Sequence, residues 1–175
     1  MNKKGFTLVE LLASLAILSI IMLVAVPSTI NVLDRSKRQK YISDAKKMVT
    51  LAEAYIRGNE DINYPEDNGI VVLYLSRLND GTFDEDPDGN KYSMNESFVT
   101  IVKKDVGSNY TYEYSVQLVG VGSKGKRGVE LSNLTDLNSD KKYDFVTKTI
   151  NDMTCQSISS EVLDNVCNDC CTEYR

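Results

Sequence analysis

Glu10 is the only charged residue between Phe6 and Val26, a run whose other polar members are Thr7, Ser14 and Ser19. A carboxylate at the centre of a lipid-spanning helix costs about 2.5–3.5 kcal/mol, and less near an end, so an acid kept in such a run should have a partner. Four cysteines, Cys155, Cys167, Cys170 and Cys171, are the only ones in the chain. An even number in an exported segment points to two disulfides, in three possible connectivities, with a vicinal Cys170–Cys171 bond the least favourable by geometry. The spacing lacks the two separated Cys-x-x-Cys pairs of a four-thiolate zinc site, and reduced thiols are the remaining option. Asp84-x-Asp86-x-Asp88-Gly89 begins like a calcium-binding loop. Its twelfth position is Asn95 rather than Glu, and Pro87 interrupts it. An acidic turn is therefore the favoured reading, with Asp84, Asp86 and Asp88 a weak calcium candidate and no other metal or cofactor expected. The chain has no His, which removes the commonest general base. It shows neither a nucleophile motif nor a phosphate loop, so no catalytic residue is expected and the protein does not read as an enzyme.

The elements that carry these residues follow from charge and hydrophobic period. Phe6 to Arg57 holds seven Lys/Arg and four Asp/Glu, whereas Gly58 to the end holds eleven and twenty-one. A basic helix-forming segment is thus joined to an acidic head, which is a poor general binder of nucleic acid. Residues 6–26 in helical conformation span about 31 Å, enough for a bilayer core of ~30 Å. Beyond them Ile30, Leu33, Ala45, Met48, Val49, Ala52, Tyr55 and Ile56 recur at mostly helical spacing. Arg35, Lys37, Arg38, Lys46 and Lys47 fall on the opposite face, and Gly58-Asn59 is a stop signal. A proline costs a helix interior ~3 kcal/mol in water, yet helical neighbours absorb it, so the helix is expected to continue past Pro27 to Arg57.

The N-terminus makes a resemblance specific. Lys3-Lys4-Gly5-Phe6-Thr7-Leu8-Val9-Glu10-Leu11-Leu12 resembles the class III leader of type IV pilins and their pseudopilin relatives: a basic leader ending in Gly, an aromatic residue, and Glu four positions later. The resemblance implies cleavage after Gly5 by a prepilin peptidase and N-methylation of Phe6. It also gives Glu10 a partner, the Phe6 amine of a neighbouring subunit, so that pairing in an apolar core favours one axial register. Many pilins carry a proline where Pro27 stands. The implied organisation is a leader at 1–5, a transmembrane and filament-core helix at 6–26, its amphipathic continuation at 27–57, and an extracellular head at 58–175. Counted on flanking Lys/Arg alone, the head would face the cytoplasm. Against this, the first flanking charge, Arg35, lies nine residues beyond Val26 and the head carries the cysteines.

The head reads as α+β: an antiparallel sheet packed on the amphipathic half of the helix, with a cysteine-containing C-terminal region. Ile70 to Leu78 is ambiguous between strand and helix, and the resemblance favours a helix ending near Gly81. Asp86-Pro87-Asp88-Gly89-Asn90-Lys91-Tyr92 is a turn leading into a strand, similar to a segment of many pilins. Phe98 to Val102 is strand-like. Tyr110, Tyr112, Tyr114, Val116 and Leu118 alternate on one face, which predicts a half-buried antiparallel strand. Gly120, Gly122, Gly125 and Gly128 predict a mobile loop, Tyr143 to Ile150 a further strand, and Ser157 to Val166 a short helix.

The expected function is structural. The subunit waits in the cytoplasmic membrane and is assembled by the pilus machinery into a homo-oligomeric filament at the cell surface. The filament would support adhesion, aggregation or twitching motility. A pseudopilin of a type II secretion or DNA-uptake system is the alternative, and a membrane-anchored binding domain is the second. No specific nucleic acid partner is expected.

Overall fold

The computed structural model describes residues 6–66, 69–78, 81–123, 125–138 and 171–174. Contacts divide the chain into two units, Met1–Lys37 and Arg38–Arg175. One helix, α1 (Leu8–Gly58), contributes to both and includes position 27, so the proline does not end it. Within the first unit the apolar side chains of α1 stand in the open, with Leu8 74% and Leu23 79% exposed. No described residue before Tyr41 is buried. The expected apolar face is therefore too long at its start: Ile30 and Leu33 are exposed, and the buried stripe is Tyr41, Ala45, Met48, Val49, Ala52 and Ile56. That spacing is one face of a helix. The other face presents Lys40, Ser43, Lys47, Thr50, Ala54 and Arg57 to solvent.

The second unit is α+β. Its strands are β1 (Ile70–Tyr74), β2 (Lys91–Tyr92), β3 (Phe98–Val106), β4 (Asn109–Gly122), β5 (Gly125–Asn133) and β6 (Cys171–Tyr174). A one-turn helix, α2 (Leu75–Leu78), follows β1 directly. Antiparallel pairing joins β1 to β3, β3 to β4, and β4 to both β5 and β2. One pairing departs from the antiparallel expectation: β6 lies parallel to β1, Cys171 opposite Ile70, so the sheet is mixed. The segment 70–78 is also corrected, being a strand followed by a single helical turn rather than one helix. Five consecutive buried apolar residues, three of them β-branched, suit a strand covered on both faces.

Both faces of this sheet are buried. Val71, Leu73, Val99, Ile101, Val116, Leu118 and Val129 pack with the buried stripe of α1. Ile70, Val72, Tyr74, Phe98 and Val102 form a separate cluster. The half-buried reading of β4 thus holds for one end only: Tyr110 is 59% exposed, while Ser115 and Gln117, alternating with the apolar set, are buried. Gln117 satisfies its amide by donating to the Glu96 carbonyl at 2.9 Å. The glycine-rich stretch is not a loop but the β4–β5 hairpin. Gly128 makes the close approach possible, because a Cβ there would lie 1.7 Å from the Leu118 carbonyl oxygen. The segments expected at Tyr143–Ile150 and Ser157–Val166 lie outside the described residues, as do Gly5, Cys155, Cys167 and Cys170.

Gly128→Ala is expected to push β5 off β4 and to destabilise the protein by about 3 kcal/mol. Thermal unfolding of the full chain in detergent checks this. A midpoint within a degree of the parent would contradict the close approach.

Candidate functional site

At the start of α1 the sequence Thr7-x-x-Glu10 closes a capping box. The Thr7 N–H donates to Glu10 Oε2 at 3.0 Å, the Thr7 hydroxyl donates to the same oxygen at 2.8 Å, and the Glu10 N–H reaches Thr7 Oγ1 at 3.4 Å. A helix start leaves its first N–H groups without intrahelical partners, and this reciprocal arrangement satisfies two of them. The charged residue of the apolar run is thereby held at the helix terminus by its own chain. The remaining hydroxyls of the run are also satisfied locally: Ser14 donates to the Leu11 carbonyl and Ser19 to the Leu15 carbonyl, both at 2.8 Å. Such back-bonding satisfies the Ser14 and Ser19 hydroxyls within the helix itself, as an apolar surrounding requires. The Ser/Thr-x-x-Glu spacing is the signal by which sequence alone identifies Thr7 as a member of this site.

Asp84, Asp86 and Asp88 do not converge. Asp84 is exposed, whereas Asp86 is buried. Asp86 Oδ1 accepts the backbone N–H groups of Asp88 and Asn90, each at 2.8 Å. The Tyr41 hydroxyl lies 3.0 Å from Asp86 Oδ2 and 3.3 Å from Asp88 Oδ2. Arg127 approaches Asp88 from β5 at 3.3 Å. The Tyr92 hydroxyl donates to Asp44 Oδ2 at 2.8 Å. Gly120 gives Asp86 room, since a Cβ there would meet its carboxylate at 2.1 Å. Among the described residues no three His, Cys, Asp or Glu side chains are grouped to hold a metal ion. The turn and β2 are instead tied to α1 through the Tyr41 and Tyr92 contacts with carboxylates, and the turn to β5 through Arg127 and Asp88. Tyr41, Asp44, Tyr92 and Arg127 carry no local motif that marks this role, which exists only once distant segments meet. Of the four cysteines, only the backbone of Cys171, in β6, is described.

With this geometry in place, comparison with known proteins adds one finding. Residues 1–26 match the family model for the prokaryotic N-terminal methylation motif, the class III signal of type IV pilins and pseudopilins. No curated protein and no solved structure gives a significant match. The motif, together with the long helix packed on a sheet, supports a type IV pilin- or pseudopilin-like reading. The motif implies processing by prepilin peptidase in the context of pilus-type assembly, and it points to a structural subunit rather than an enzyme. Together with the apolar helix it fits a membrane-anchored precursor.

Burial, followed by the Asp86 and Asp88 charges, raises the Tyr41 phenol above its ordinary range. Burial, followed by the Asp44 hydrogen bond, does the same for Tyr92. A phenol held neutral in the folded state and free to ionise in the unfolded one gives full stability below the ordinary phenol pKa of ~10. Stability then falls as pH rises above that value. Phenolate absorbance titrated alongside circular dichroism is expected to show Tyr41 and Tyr92 ionising only as the fold is lost. Tyr92→Phe, though less stable at neutral pH, should show a shallower fall above pH ~10. An unchanged slope would remove Tyr92 from this account.

Proposed function

We propose that this protein is the structural subunit of a type IV pilus filament, cleaved after Gly5, N-methylated at Phe6 and assembled by packing of the exposed apolar half of α1. The observation that carries the reading is the methylation motif at residues 1–26 opening a helix whose apolar side chains find no cover within their own chain. Lipid covers them before assembly and other copies of the same helix cover them afterwards, since burial of apolar surface favours either. Glu10 supplies the register. In the subunit its Oε2 is engaged by Thr7, and in the filament its carboxylate takes the Phe6 amine of the neighbour. An unpaired charge in that apolar setting is costly, so copies out of register are disfavoured. Position 27 lies inside α1, where neighbouring helices tolerate a proline.

On this reading the head faces the exterior, where disulfides among Cys155, Cys167, Cys170 and Cys171 are stable. The surface of the filament then serves adhesion, aggregation or twitching. The second reading, a pseudopilin of a type II secretion or DNA-uptake system, rests on the same motif, which both classes share.

Mass spectrometry of filaments sheared from the native cell surface is expected to give an N-terminal peptide beginning at N-methyl-Phe6. An intact Met1, or cleavage near Pro27, would leave an ordinary anchored or secreted domain. Glu10→Gln is expected to leave that cleavage in place while lowering sheared filament at least tenfold. Wild-type yield from the variant would remove Glu10 from assembly. Secretion or DNA uptake lost together with the gene, in cells that shed no filament, would favour the pseudopilin reading.

A further inference from the structure

Three side chains from three neighbouring strands meet on one face of the sheet. Register places Val102 of β3 opposite Glu113 of β4, and Ser115 of β4 opposite Asn133 of β5. Lys104 stands two residues beyond Val102, and Glu113 two residues before Ser115. Lys104, Glu113 and Asn133 therefore share a face, each a diagonal step from the next. The contacts agree: the Lys104 ammonium pairs with Glu113 Oε2, and the Asn133 amide nitrogen donates to Glu113 Oε1. One carboxylate thus bridges an amine and a primary amide. Glu113 Oε2 is shielded from solvent, and the Glu113 side chain is 27% exposed against 47% for Lys104. The end of β5 is pinned beside this carboxylate, because the Leu134 N–H donates to the Tyr114 carbonyl at 2.9 Å.

Asn133 is held in one orientation from both sides. Its Oδ1 accepts the Thr135 backbone N–H and the Thr135 hydroxyl, each at 3.0 Å. A backbone N–H only donates and an ionised carboxylate only accepts, so reversing the amide would lose contacts at both ends. Two donors on the amide oxygen stabilise the negative charge that develops there when a nucleophile adds to Cγ. The carboxylate sits on the amide nitrogen, where a proton has to arrive before that nitrogen can leave. It also sits on the amine that would attack. An ordinary ion pair needs none of the Thr135 contacts, and a turn closed by Asn133 needs neither Lys104 nor Glu113. Together they supply the parts of an acyl transfer: nucleophile, electrophile, proton carrier and oxyanion donors.

We propose that Lys104 and Asn133 become joined by an intramolecular isopeptide bond, with Glu113 as the proton carrier. Glu113 takes a proton from the Lys104 ammonium, and the freed electron pair of Nζ adds to Asn133 Cγ. The new C–N bond forms, and negative charge falls on Oδ1 under the Thr135 donors. Collapse of this intermediate breaks the Cγ–Nδ2 bond. The ammonium loses two protons in all: one completes ammonia on the departing nitrogen, and the other leaves with it as ammonium. Glu113 ends as it began, a carboxylate, and no oxidant or further reactant is consumed. The half-exposed Lys104 side chain bends to bring Nζ within the ~3–3.5 Å of Cγ that attack requires. The product ties β3 to β5 across β4 and removes freedom from the unfolded chain, as any cross-link does. It stands independently of the filament reading.

The test is mass spectrometry of peptides from the full-length chain, purified in detergent, reduced and digested. The peptides carrying Lys104 and Asn133 are expected to appear joined, at the sum of their masses less one ammonia, with fragment ions placing the link on those two residues. Glu113→Gln, close in size to the parent side chain, should lower the joined fraction at least tenfold, and an undiminished fraction would remove Glu113 from the step. Lys104→Arg and Asn133→Ala should abolish the link. Separate peptides at their full masses in the parent would overturn the proposal. Loss of ammonia that persists in Lys104→Arg would do the same, since it marks a cyclic imide at Asn133. A mass gain on Asn133 would also overturn it, because Asn133-Leu134-Thr135 matches a glycosylation sequon. The parent chain alone decides the outcome, so a variant that fails to fold does not shield the proposal.

Discussion

An apolar helix surface that its own chain leaves open has to be covered by something else, and this constraint governs the protein. From Phe6 to Val26 every described side chain is exposed, although nearly all are apolar. Each large apolar side chain fully removed from water contributes on the order of 1.5–3 kcal/mol, so this stretch in water would oppose any isolated, soluble form of the chain. Lipid satisfies it, and so do other copies of the same helix. Transfer from one to the other exchanges apolar cover for apolar cover, so the exchange costs little and the remaining specificity must come from polar groups and side-chain fit. Few polar groups exist in the run, and all those described bond within their own helix. Glu10 is the exception in kind, a charge rather than a hydroxyl, and on the filament reading it carries the most specificity per residue.

The same helix obeys a second rule after Tyr41. There its buried positions narrow to one stripe, and the opposite stripe becomes small, polar or cationic. A stripe confined to one face of a helix can be held only if the sheet beneath is positioned in rotation as well as distance. The polar contacts of Tyr41 with Asp86 and of Tyr92 with Asp44 do this, because a hydrogen bond has direction and dispersion does not. The buried Asp86 carboxylate accepts two backbone N–H groups of its own turn and a tyrosine hydroxyl, so its burial is compensated. The turn thereby couples the entry of β2, the β4–β5 hairpin and α1 in one network.

Much of this was legible in the chain. The leader pattern, the apolar run and the helix stop at Gly58 are short-range signals, and each is found where the residues predict it. The entry of β2 after the Asp-Pro-Asp-Gly turn was legible for the same reason. What failed depends on partners distant in sequence. The Ile70–Tyr74 run is continuous rather than alternating, which fits a buried helix and a doubly covered strand equally until β3 and β6 are known to flank it. Ile30 and Leu33 have the right period for a buried face, but period alone does not say where the covering sheet ends. The glycines from Gly120 to Gly128 suggested mobility, yet at Gly128 the missing side chain serves close approach of two strands. Asp86 drew notice for its carboxylate spacing, while the feature that explains it, a tyrosine 45 positions earlier, carries no local signature.

The family match covers residues 1–26, the stretch that opens the helix, and its described residues lie wholly within the exposed apolar regime. On the filament reading, the first stretch must fit a peptidase, a membrane and identical neighbours at once, which narrows the chemistry it can carry. The head must only present a buried stripe to α1 and a stable exterior. Many sheets satisfy that requirement if hydrophobic volume and pattern are kept. On that reading, function divides along the chain as the physical constraints do: the N-terminal segment specifies that copies assemble, and the head specifies what the assembled surface meets.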